Sequence, residues 1–254
     1  FLDKLGSKAI KIGSTDWGNQ RIANSYANAM CTDVIDVHAY NFLVSGQRAK
    51  TGYSSSVPTS SLLSSAMGML GKIGTRQVYG KAFTITEWNA SIPNPYNSET
   101  NLLMAAYGSL LNWNPFIFTW SENVNIDRYR DRKTEDVFDL YTLDLVDMPP
   151  NLYSAPAAAM LFLRQDAKEA TNGYYPVRFT KDEACDYSKQ SISSDFSYGM
   201  IGKTGYIIDD AAYSEDANSN HILKLKLEAE KSRIYVSETG EMVTDINESI
   251  FKLN

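Results

Sequence analysis

Apolar positions in the first two-thirds of the chain fall into short runs that switch between two periods. Strand-length runs occur at "AIKIGS" (9–14), "DVIDVHAY" (33–40), "AFTITE" (82–87) and "PFIFTW" (115–120), and the first of these reads as a buried strand. Between them lie helix-length segments. "NQRIANSYANAM" (19–30) places Ile22, Tyr26 and Met30 at helical spacing, "LLSSAMGMLGKI" (62–73) follows a long Ser/Gly-rich loop at 45–61, and "ETNLLMAAYGSLLNW" (99–113) reads as a helix. Four strand–helix units in this order predict a parallel α/β arrangement.

The pattern changes after "FLRQDAKEA". "YYPVRFT", "GMIGKTGYII", "HILKLKL" and "RIYVSETGEMVTDINESIFKLN" all read as strands, the last of them as a hairpin around a turn containing Gly240. "ATNG" (170–173) is a plausible boundary, and the Asp/Ser/Asn-rich "DDAAYSEDANSN" (209–220) reads as an exposed loop. The expected organisation is an α/β region over 1–166 and a partial β-sandwich accessory region over 167–254.

Composition narrows the function classes. A chain of 254 residues with 43% apolar content can bury a sizeable core. No apolar run approaches the roughly 18 residues of a membrane helix, so no membrane partner is expected. The formal charge of −6 comes with no basic cluster, which gives no footprint for nucleic acid. Cys31 and Cys185 are too few and too separated for a disulfide framework or a four-cysteine zinc site, and they read as small buried hydrophobes. Asp36 and His38 have the D-x-H spacing of some metallohydrolases, but the sequence supplies no further ligand cluster beside them; neither a metal nor another cofactor is expected.

Candidate chemistry gathers at the strand ends. Ser14 with Asp16 and Trp17, His38 with Tyr40, Glu87 with Trp88 and Asn89, and Trp120 with Glu122 and Asn123 each follow a strand-like run. In a parallel α/β barrel all strand C-termini open on one face, so groups far apart in sequence converge there. Aromatic rings that stack on sugar C–H faces, and amide, imidazole and phenol groups that bond hydroxyls, suit a carbohydrate substrate. Packing alternatives exist: Trp88 and Trp120 as fillers of the barrel mouth, His38 as a satisfied core histidine. Glu87 is harder to explain by packing, because an ionised carboxylate at the mouth of a buried strand costs free energy unless it is paired or kept for chemistry.

The ordered set "DVIDVHAY", "GKAFTITEWNASIPNPY", "LLMAAYGSLLNWNPFIFTW" and "SAPAAAMLFLRQD" resembles the C-terminal half of bacterial TIM-barrel glycoside hydrolases, in the large retaining clan that includes cellulases, mannanases and β-galactosidases. The resemblance spans most of 1–166. It implies strands five to eight of a (β/α)8 barrel, with Glu87 as the catalytic nucleophile at the end of the seventh strand. It also implies that His38, Tyr40 and Trp120 line the subsite of the reacting sugar, with Trp17, Trp88, Asn89 and Glu122 as further contacts. A β-sandwich module commonly follows such barrels.

In that clan a Glu, usually after Asn, ends the fourth strand and serves as acid/base. No Asn-Glu follows a strand before Glu87 here, and "FLDKLGSKAIKIGS" looks like the tail of the fourth helix leading into the fifth strand. The expectation is therefore half a barrel, whose partner is the missing N-terminal half, supplied by the same precursor or a second chain. Within the chain, Glu122 is the best stand-in for the second carboxyl. The implied activity is retaining hydrolysis of a β-linked glycan, and a secreted or periplasmic location follows from the substrate class. The rival readings are a non-catalytic carbohydrate-binding or structural barrel, and a metal-dependent hydrolase using Asp36 and His38.

Overall fold

The computed structural model describes residues 1–13, 22–40, 43–49, 52–56, 61–65, 68–74, 76–90, 94–117, 149–189, 196–208 and 217–254. It is a mixed α/β protein with parallel sheets and some antiparallel strands. The central sheet is parallel and runs β1 (Val34–Tyr40), β4 (Ala82–Asn89), β5 (Asn114–Ile117). Among the described residues, the first expected strand lies alongside β1 through one parallel bridge, Ile12 to Val34, with Gly13 N–H donating to the Val34 carbonyl at 3.0 Å. It is not buried: Ile10 is 72% exposed and Ile12 also faces outward.

Alternation along β1 sorts its side chains cleanly. Ile35, Val37 and Ala39 are buried on one face, where α1 (Ile22–Cys31) and α2 (Gly68–Gly74) pack. Asp36, His38 and Tyr40 line the other face. The segment expected to be one helix over 62–73 is instead a 3-10 turn, Leu62–Ser65, followed by α2. Glu99 holds that turn by accepting from Ser61 Oγ at 2.8 Å and from the Leu62 N–H. The expected loop at 45–61 contains an antiparallel hairpin, β2 (Leu43–Ala49) with β3 (Gly52–Ser56). Its Ser- and Gly-rich strands pair with each other, a backbone relationship that hydrophobic periodicity does not register.

The helix α3 (Asn97–Leu111) is the hub of the core. Leu103, Met104, Ala106, Tyr107, Leu110 and Leu111 are all buried, on more than one face of the helix. It packs against α4 (Pro149–Arg164) and β5, closely enough that a Cβ at Gly108 would stand 3.5 Å from Phe162 of α4 and 3.3 Å from Pro115 of β5. It ends at Asn112 in the left-handed region, whose N–H closes on the Ser109 carbonyl at 3.3 Å, a common helix stop.

The C-terminal region departs from an all-β expectation. β6 (Tyr174–Phe179) pairs in parallel with β7 (Lys203–Ile208), and the short α5 (Lys181–Cys185) is capped by a reciprocal Thr180–Glu183 capping box. "HILKLKL" is helical, inside α6 (Ala217–Ser232). Its Leu/Lys alternation imitates a strand, yet Leu227 is 49% exposed while Ile222, Lys226 and Ala229 are buried, which is a helical i, i+4, i+7 set. Residues 217–220 of the expected loop open this helix, and 209–216 lie outside the described residues. The hairpin reading holds: β8 (Ile234–Val236), β9 (Met242–Asp245) and β10 (Ile250–Leu253) form an antiparallel meander, with Gly240 at φ 75° in the first turn.

The C-terminal region packs into the same hydrophobic cluster as the parallel sheet. Tyr107 Oη and Thr244 Oγ1 are 2.7 Å apart, linking α3 to β9. A parallel bridge joins Val78 to Tyr206, with Tyr206 N–H donating to the Gln77 carbonyl at 2.6 Å and Tyr79 N–H donating to the Tyr206 carbonyl at 2.9 Å. Cys31 and Cys185, expected to be buried, are free of disulfides and exposed at the last position of their helices. No helix among the described residues is long and apolar enough to cross a membrane.

Candidate active site

Straight alternation along β4 would put Phe83, Ile85 and Glu87 on one face. The structure does otherwise. Val37 pairs with Ile85, but the next residue, His38, pairs with Glu87, so Thr86 is an extra residue on β4 and the ladder carries a bulge there. Phe83 and Ile85 stay on the helix-covered face, and past the bulge Trp88 returns to it. Glu87 is thereby delivered to the polar face beside Thr84 and Thr86, opposite Asp36, His38 and Tyr40.

These six side chains form one connected network. Asp36 is 2% exposed and fully engaged: Thr84 Oγ1 donates to its Oδ1 at 2.7 Å, Thr86 N–H to the same oxygen at 3.1 Å, and Thr86 Oγ1 to its Oδ2 at 2.7 Å. His38 Nε2 is 3.1 Å from Thr86 Oγ1 and 3.8 Å from Asp36 Oδ2. On its other side, His38 Nδ1 stands 2.8 Å from Glu87 Oε2, a contact short in distance but bent away from a straight hydrogen bond. Tyr40 Oη donates to the same Glu87 oxygen. Burial, and then the neighbouring Glu87 carboxylate, hold the Tyr40 phenol above its ordinary pKa of 10.0, so it remains a donor.

Glu87 is thus gripped through one oxygen and partly open, its side chain 18% exposed against 12% for His38. A carboxylate fixed by two neighbours at the C-terminal end of a parallel strand can act as an oriented nucleophile or base, or accept bonds from a bound hydroxyl.

The remaining expected site residues separate into two groups. Trp88 is 0% exposed, and its Nε1–H donates to the Thr100 carbonyl at 3.3 Å, so it belongs to the helix-side core rather than to the group around Glu87. Asn89 is also fully buried: its Oδ1 accepts from Ala90 N–H at 2.7 Å and from Asn151 Nδ2 at 3.1 Å, and the Asn151 carbonyl accepts from Asn101 Nδ2 at 3.1 Å. These amides fasten the end of β4 to the start of α4. Ser14, Asp16, Trp17, Trp120, Glu122 and Asn123 lie outside the described residues.

Thr84 and Thr86 were not singled out as site residues by sequence reasoning. The available signal was the period-2 set Asp36, His38, Tyr40 facing the T-x-T of β4; the bulge that adds Glu87 to it leaves no such mark. Asp36 and His38, spaced as metal ligands, are instead engaged with Thr84, Thr86 and Glu87. No protein-family model, no curated protein and no solved structure matches the chain.

Proposed function

We propose that the protein is a glycoside hydrolase that cleaves a β-linked glycan with retention, using Glu87 as nucleophile. The observation that carries this reading is the placement of Glu87: a β-bulge turns it onto the polar face at the C-terminal end of a parallel strand, where Tyr40 and His38 hold one oxygen. In the reaction, a free Glu87 oxygen attacks the anomeric carbon while a second carboxyl protonates the departing glycosidic oxygen. Water, deprotonated by that same second group, then displaces Glu87 and releases the sugar.

The parallel order from the Ile12 bridge through β1, β4 and β5 agrees with strands five to eight of a (β/α)8 barrel. The acid/base is then a Glu from the complementary half, about 5 to 5.5 Å from Glu87. Asp36 does not serve, since both of its oxygens are spent on Thr84 and Thr86 and it is buried. Among the described residues Ile10 and Ile12 are exposed beside β1, which fits such a partner.

The test is Glu87→Gln in the complete enzyme, assayed on β-glycosides, with circular dichroism to check the fold. Turnover falls by about 10³-fold or more with folding intact if Glu87 is the nucleophile; retained turnover overturns the assignment. The second reading, a sugar-binding protein without catalysis, is favoured by the engagement of Asp36. It predicts sugar binding with no second carboxyl facing Glu87 at either retaining or inverting distance.

A further inference from the structure

The proton inventory around His38 is restrictive. Both Asp36 oxygens accept from β4, and Oδ2 takes the single hydroxyl proton of Thr86 at 2.7 Å. The Thr86 oxygen then has only lone pairs left for the His38 Nε2 that stands 3.1 Å away, so that nitrogen must carry the hydrogen. Nδ1 is left on the side of the ring that faces Glu87 Oε2, at 2.8 Å.

From this geometry we infer that Asp36 is a positioning residue: acting through Thr86, it fixes His38 with Nε2 protonated and Nδ1 turned to Glu87. Asp36 touches neither Glu87 nor the open side of the site; it acts by using up the hydroxyl proton that could otherwise be donated to His38. A buried carboxylate that sets the hydrogen polarity of a hydroxyl relay explains why both of its oxygens are satisfied by threonines of β4. The role rests on the reading of Glu87 as the reactive carboxylate.

The experiment is ¹⁵N–¹H correlation spectroscopy of the imidazole nitrogens in the full chain with labelled histidine. There are two histidines, and the His221 signals are identified by His221→Gln. In the unchanged protein and in Thr86→Ser, His38 shows a protonated Nε2. In Thr86→Val, which removes the acceptor, that pattern is lost. In Asp36→Asn, where the Thr86 hydroxyl is free to turn round and donate to Nε2, the hydrogen moves to Nδ1.

A bare Nε2 in the unchanged protein overturns the inference. So does a Thr86→Val spectrum identical to it, or a Thr86→Ser spectrum that matches Thr86→Val. Should Asp36→Asn fail to fold, the Thr86 pair decides. The readout is independent of turnover, so a wrong tautomer sinks the relay and leaves the nucleophile standing, whereas an active Glu87→Gln enzyme does the reverse.

Discussion

His38 is paired across the sheet with Glu87 and not with Thr86, although Val37, one residue earlier, is paired with Ile85. That single extra residue exchanges the faces of everything after it on β4. The carboxylate arrives beside an imidazole and a phenol, and the indole that follows it is sent into the core. Bulges are over-represented next to active sites, where they re-aim a side chain.

Tyr40→Phe removes a hydroxyl that donates to Glu87 while leaving the ring in place. A hydrogen bond to a charged group contributes about 1.5–3 kcal/mol, so kcat on a cognate glycoside should fall by roughly 10- to 100-fold with little change in thermal stability. Unchanged kcat in steady-state kinetics would remove Tyr40 from the site.

Trp88→Phe separates core from sugar contact. With the indole fully buried and bonded to the Thr100 carbonyl, the substitution should lower stability by about 1–3 kcal/mol in denaturant unfolding, through lost packing and an orphaned acceptor. KM should stay within about twofold; a large rise in KM with normal stability would return Trp88 to the substrate site.

Tyr107 makes stability sensitive to alkali. Burial raises its phenol pKa above the ordinary 10.0, opposed only by the bond to Thr244. Below pH 10 both folded and unfolded chains keep the proton and the contribution is constant. Above it the unfolded chain releases the proton and the folded one does not, so stability falls as pH rises. Tyr107→Phe should flatten that alkaline decline in chemical denaturation while costing about 1–3 kcal/mol at neutral pH, where Thr244 Oγ1 loses its buried partner.

Gly205→Ala tests the bridge between the two regions. A Cβ there would stand 2.4 Å from the Gln77 carbonyl oxygen and 2.3 Å from Tyr174 Oη, and the first of these is backbone and cannot rotate away. The expected loss is about 1–3 kcal/mol or more, read as a lower midpoint in thermal unfolding. A neutral effect would mean that β7 does not lie against residues 77–79 as described.

Much of the central sheet was legible because buried parallel strands and the helices between them have distinct periods. β1, β4 and α3 fall within two residues of the positions that periodicity assigns. The reading failed where local pattern and tertiary context disagree. "HILKLKL" alternates like a strand over five residues, but Lys, Leu, Glu and Ala all favour helix, and the Ile222–Lys226–Ala229 face found a core to enter. "AIKIGS" is apolar enough to be buried, yet nothing in the described residues covers Ile10 and Ile12. At the candidate site, Glu87, His38 and Tyr40 could be named from their strand ends. Trp88 and Asn89, named with them, are buried away from Glu87; for Trp88 the reason is the bulge, which alternation alone cannot register.

The Tyr206 bridge to residues 77–79 and the Tyr107–Thr244 contact also fix where this polypeptide can be divided. A fragment ending near Asp166, at the seam that composition suggests, would keep the candidate site but strip β7 from the Val78 turn and β9 from the buried flank of α3. Its strands would lose the part of the core that their own half of the chain does not supply. Pieces made for assay or crystallisation should therefore keep residues 167–254, which serve the site from a distance as ballast against unfolding.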